Sequence, residues 1–195
     1  MHSARIFRSY IPELSMKLPL RLLITLFAFY SFFNASAQFN VEIVPGNATV
    51  NINGASPFNP TADNAQLGVN EILAALAIGD AVINTNTGGL QAGNITLSTD
   101  LDFNGSGLGN LLTLNAEGDV ALNGSIFDGT TGDFESISVN VNAAGSVNGG
   151  TANITTGGGS ITIQALSASV NSLATNNDSG GAIFVNTTVG NITIN

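Results

Sequence analysis

Leu112-Thr113-Leu114-Asn115-Ala116, a Glu117-Gly118-Asp119 turn, and Val120-Ala121-Leu122-Asn123 set the pattern for this chain. Apolar residues alternate with small, mostly polar ones on both sides of the turn. A period of two is the spacing of a strand with one face buried. Gly118 stands where the chain must turn sharply, a place suited to a residue that tolerates positive φ. The motif recurs: Gly93-Asn94-Ile95-Thr96-Leu97, Gly159-Ser160-Ile161-Thr162-Ile163 and Gly190-Asn191-Ile192-Thr193-Ile194 share Gly-[Asn/Ser]-Ile-Thr-[Ile/Leu], with Gly118-Asp119-Val120-Ala121-Leu122 a looser copy. Ile137-Ser138-Val139-Asn140-Val141 and Ala182-Ile183-Phe184-Val185-Asn186 lie between them at uneven intervals.

Short strands repeated between Gly and Asn are the signature of a β-solenoid, in which each coil stacks its aliphatic side chains on the next. The expectation is an all-β parallel β-helix with Leu112, Leu114, Val120, Leu122, Val139, Val141, Ile161 and Ile163 inside and the intervening Thr and Asn exposed. A β-sandwich is the alternative, since it also alternates. Twenty-three glycines and few aromatics favour the solenoid.

Residues 1–37 have the layout of a secretory signal peptide. Met16 to Arg21 is basic, Leu22 to Phe33 is mostly apolar, and Ala35-Ser36-Ala37 is a small-residue cleavage site, so Gln38 is expected to open the mature chain. The apolar run, about a dozen residues, is short of the roughly 20 that span a bilayer. No membrane span is expected after cleavage between Ala37 and Gln38, and the protein is expected to be secreted or held at the cell surface.

Beyond Gln38 the composition changes. All four Lys and Arg and the single His precede it, and the chain has no cysteine. Twelve of the 13 carboxylates follow it, with no cation to pair with them. A nucleic-acid footprint needs clustered Lys and Arg, so that partner is excluded. The missing imidazole and thiol exclude Ser-His-Asp and Cys-His catalysis.

Residues 38–68 read as an N-terminal cap and loop. Two short strands flank Pro45-Gly46-Asn47, and Pro57 and Pro60 would interrupt any ladder. Val69, Ile72, Leu73 and Leu76 have helical spacing, with Asn70 as N-cap and Gly79 as stop. Residues 69–195 form the repeat region, which runs to Ile194-Asn195 in mid-coil, as a piece of a longer passenger would.

Ile72-Leu73-Ala74-Ala75-Leu76, Gly79 to Thr85, Gly93 to Leu97 and Leu112 to Ile126 together resemble the repeat region of filamentous-haemagglutinin-like bacterial adhesins. The likeness spans about residues 69–195. It implies a right-handed parallel β-helix, export, and attachment to a glycan or to a host or neighbouring cell without catalysis. The Asn-Pro-Asn motif of that family's secretion domain is met only as Asn59-Pro60-Thr61.

Two acidic groupings and a set of asparagines are candidate chemistry. Asp100 and Asp102, two apart on a strand, would share a face, as the carboxylate pair of a glycan-cleaving enzyme requires; such an enzyme on the same scaffold is the alternative function. The bland reading, solvent-facing charges, is favoured. Asp128, Asp133 and Glu135 flank Gly129 and Gly132 in a loop that could offer oxygens to Ca²⁺. The Gly-Gly-x-Gly-x-Asp calcium repeat is missing, so a solvated loop is favoured, with no cofactor expected. Asn94, Asn153 and Asn191 open sequons, and ladder or turn roles are favoured for them over glycosylation. Ice binding would need an even Thr spacing that the chain lacks. Gly190 to Asn195, β-prone and uncharged, is expected to self-associate through its edge.

Overall fold

The computed structural model describes residues 37–85, 88–103, 109–128, 137–175 and 180–195. They form a β-solenoid of about 6 turns with one short helix near its start. The β-sandwich is excluded, because every pairing between strands of successive coils is parallel.

Three rows of strands run along the stack. The first contains β1 (Val41–Val44), β3 (Ala65–Gly68), β5 (Ile95–Leu97), β8 (Val120–Leu122), the start of β11 (Val147–Thr156), the start of β13 (Ala168–Thr175) and β15 (Ile192–Ile194). The second stacks β4 (Ala81–Asn84), β7 (Leu111–Ala116), β10 (Ser138–Ala143), β12 (Ile161–Ala165) and β14 (Ile183–Thr187). The third runs from β6 (Leu101–Asp102) through β9 (Ile126–Phe127) to the second halves of β11 and β13.

Register explains the alternation. Ile95 pairs with Val120 and Val120 with Val147; Leu112 pairs with Val139 and Val139 with Ile161. Each aliphatic side chain stands on the one a coil below, inside the stack, where burial contributes about 1.5–3 kcal/mol. All eight expected core residues are buried. The expected exposure of the intervening polar residues is corrected. Thr113, flanked in register by Val82 and Asn140, is buried, and Asn115, Asn140 and Thr162 are half-buried. A side chain stacked between two others loses solvent on both sides even on the outer face.

The uneven intervals also have a reason. Copies of the pentamer stand at two different corners: those at Gly93, Gly118 and Gly190 lead into the first row, the one at Gly159 into the second. At each corner the glycine lets the coils touch. A methyl on Gly118 would meet the Ala92 carbonyl oxygen at 2.5 Å, and one on Gly159 the Ile137 carbonyl oxygen at 2.2 Å. Gly118 thus serves close approach, and positive φ, expected for it, is found instead at Gly93 and Gly109 among others. The next residue of the motif accepts an amide from the coil above: Asn94 from Asp119 (2.8 Å), Asp119 from Ser146 (2.6 Å), Ser160 from Ala182 (3.2 Å).

The N-terminal region departs from expectation in two places. Helix α1 (Val69–Leu76) has Gly68 as N-cap with no side-chain cap bond. Asn70 lies within the helix and donates to Asn47 Oδ1 (2.7 Å), so its amide is committed to the neighbouring loop. The two prolines also interrupt less than expected, for Phe58 between them donates to Val82 O (2.7 Å) and accepts from Asn84 N (3.0 Å). Proline removes only its own N–H, and the residue between two prolines keeps a donor and an acceptor.

Candidate functional site

The fourth residue of each second-row strand core is an amide or its equivalent: Ala81-Val82-Ile83-Asn84, Leu112-Thr113-Leu114-Asn115, Val139-Asn140-Val141-Asn142, Ile161-Thr162-Ile163-Gln164 and Ile183-Phe184-Val185-Asn186. Parallel in-register pairing places these residues in one line along the stack. Asn84 Nδ2 donates to Asn59 Oδ1 (3.0 Å), Asn115 to Asn84 (2.9 Å) and Asn142 to Asn115 (2.8 Å). A carboxamide carries two N–H donors and two acceptor lone pairs. The ladder uses one of each at Asn84 and at Asn115, so a donor and an acceptor per coil remain outside it.

Beside the ladder runs an open groove of about 660 Å³. Ala116, Ala143 and Ala165, all buried, are its small-residue floor, and Leu166, Ala144 and Glu117 stand on the side away from the amides. Glu117 is the one ionisable side chain among the described residues that line it. The site is a neutral polar strip beside an apolar one, repeated at about the 4.8 Å spacing of neighbouring strands. It can hydrogen-bond hydroxyl or amide groups in a row, and no cationic side chain stands among the described residues that line it.

The ladder was legible in the sequence as aliphatic-x-aliphatic-Asn/Gln five times over. Attention to the pentamer, which carries the same Ile-x-Ile core, hides it.

The acidic candidates are placed differently. Asp100 precedes β6 and accepts the Ser125 backbone amide at 2.7 Å, while Asp102 is half-buried within β6. Asp80 and Asp119 do the same for Leu111 N (2.8 Å) and Ser146 N (2.6 Å), and Glu71 for Ala48 N (3.2 Å). Carboxylates without cations therefore find backbone N–H partners at the corners, charge-assisted bonds of the stronger kind. Asp128 follows β9 and is half-buried; Asp133 and Glu135 lie outside the described residues. Among the described residues no three His, Cys, Asp or Glu side chains gather as metal ligands. Asn94 and Asn153 are occupied in ladders, Asn153 Oδ1 accepting from Asn171 Nδ2 and Ser172 Oγ (both 2.9 Å).

Of the expected cleavage junction, residues 1–36 lie outside the described residues. Gln38 is buried, its backbone exchanging hydrogen bonds with Gln91 (2.9 and 2.7 Å). Among the described residues no helix is long and apolar enough to cross a membrane. No protein-family model matches the chain, and neither a curated protein nor a solved structure matches it.

Proposed function

We propose that this is a secreted or surface-exposed adhesin-like segment of a bacterial protein, filamentous-haemagglutinin-like in kind, which attaches to a glycan or to a neighbouring cell and catalyses nothing. The observation that carries the reading is the amide ladder beside an open groove: a long polar strip with hydrogen-bonding capacity coil after coil and one carboxylate, Glu117, on the groove wall. The use of Asp80, Asp100 and Asp119 as backbone partners supports a binding role over a hydrolytic one, because a carboxylate fixed to a corner amide is committed to the fold. The small-residue junction at Ala35-Ser36-Ala37 supports export.

The test is adhesion. Beads coated with the purified protein are expected to bind cell surfaces or an immobilised glycan array, with no reducing ends released from any glycan on it. Beads that adhere no better than uncoated ones, or a glycan shortened on contact, would defeat the reading.

A further inference from the structure

We propose that the groove takes a linear, uncharged polysaccharide laid parallel to the solenoid axis, one sugar to a coil; this rests on the adhesin reading and adds the chemistry of its ligand. The lining residues set the direction. Asn84, Asn115, Asn142, Gln164 and Thr188 line the groove and belong to or directly follow five successive strands of the second row. The ligand path therefore crosses the strands and follows the stack. Its repeat is the strand separation, about 4.8 Å, close to the advance of one pyranose in an extended β-linked chain.

The surfaces also match in kind. A pyranose presents C–H groups on its faces and hydroxyls at its rim. The exposed Leu166 and Ala144, beside the small Ala116, Ala143 and Ala165, offer apolar contact to the first, and the amide row offers hydroxyls donors and acceptors that the ladder leaves over. Among the described residues no aromatic side chain lines the groove, so strength must come from length, by adding weak contacts coil after coil.

Charge narrows the ligand further. From Gln38 onward there is no Lys, Arg or His, and Glu117 stands on the groove wall. Sulfated or uronic glycans would meet a negative field and find no cation to pair with. The field therefore selects against anionic glycans.

Titration calorimetry of the purified protein tests this, with cello-oligosaccharides, N-acetylated chito-oligosaccharides and amylose as neutral probes and heparin and polygalacturonate as anionic ones. Affinity is expected to rise with the length of at least one neutral series up to roughly five sugars, one per coil spacing, and to stay level as salt is varied. Gln164→Ala and Leu166→Asp, both at exposed positions of the groove, should each weaken it about tenfold, the scale of a lost hydrogen-bonding or packing contact. Asn123→Ala, exposed and outside the groove, should not, and circular dichroism should show all three variants folded. Preference for heparin or polygalacturonate, affinity independent of length, or both groove variants binding as the parent does would overturn the proposal. Adhesion to cells with no neutral probe bound overturns it while leaving the adhesin reading standing. Binding of a neutral probe through the groove without adhesion to any cell surface or glycan array does the reverse.

Discussion

The two ends of the described solenoid carry the same kinds of side chain in the same register and treat them oppositely. At the N-terminal end the first and second rows are closed. β2 (Thr49–Val50) pairs antiparallel with the outer edge of β3, turning the first row's last parallel edge into a short hairpin-like seam. Helix α1 takes the chain position that a third-row strand holds in later coils and buries Ile72 and Leu76. Phe58, buried, hydrogen-bonds the edge of β4 and closes the second row, while Ser56 Oγ accepts Val82 N at 3.0 Å.

At the C-terminal end, Ile183 and Ile192 stand in register on Ile161 and Ala168, yet they are 44% and 46% exposed where their partners are 0% and 3%. Phe184 reaches 68%. Burial of an inward residue in a solenoid is thus a property of three coils, its own and both neighbours. Alternation marks a residue as inward-facing and leaves open how dry it is.

The largest effect is expected from a charge in the middle of the stack. Leu122→Asp, with coils on both sides and no Lys, Arg or His from Gln38 onward, should cost more than several kcal/mol and abolish cooperative unfolding in urea. The comparison itself is sharpened by two phenylalanines. Phe58→Ala, buried against β4, should cost about 3–5 kcal/mol by chemical denaturation, whereas Phe184→Ala, on the outer face of the last described second-row strand, should stay within about 0.5–1 kcal/mol of the parent. Equal costs would mean that the closed end is not sealed as described.

Corner contacts come next. Gly159→Ala places a methyl 2.2 Å from a backbone oxygen and should cost about 1–3 kcal/mol through overpacking. The neighbouring Ser160→Ala removes only the hydroxyl that accepts Ala182 N and should cost about 1 kcal/mol. On β15, the last described strand of the first row, Ile192→Lys with Ile194→Lys should leave the melting temperature nearly unchanged and suppress self-association in sedimentation, since lysine on an edge strand blocks pairing. An unaltered oligomer would place association elsewhere. The smallest effect is expected from salt. Twelve carboxylates repel one another, and raising salt from 0.01 to 0.1 M shortens the screening length from about 30 to about 10 Å. Several of them already accept backbone amides, so only a modest rise in melting temperature is expected.

The sequence by itself determined the class of fold, because period two with Gly and small polar residues at the turns leaves few other ways to bury Ile, Val and Leu. It also determined the eight core positions tested above, for strand alternation is local and survives any change in neighbours. Coil length was not legible. Hydrogen bonds between coils link residues 31 apart at Asn84–Asn115, 27 at Asn115–Asn142 and 21 at Ser146–Ser167. No repeat of fixed length exists to be read, and the same pentamer serves two corners.

Only the tertiary structure decided that Asn84, Asn115 and Asn142 touch, and that Asp80, Asp100 and Asp119 are spent on amides of the coil above. Whether a polar side chain is a ligand for something else or a partner for its own backbone depends on which residue lies one coil away. That distance is fixed by loop lengths, which vary from coil to coil, and by glycines such as Gly118 and Gly159 that let the backbones meet. Local sequence sets which way a side chain points, and stacking sets what it finds there.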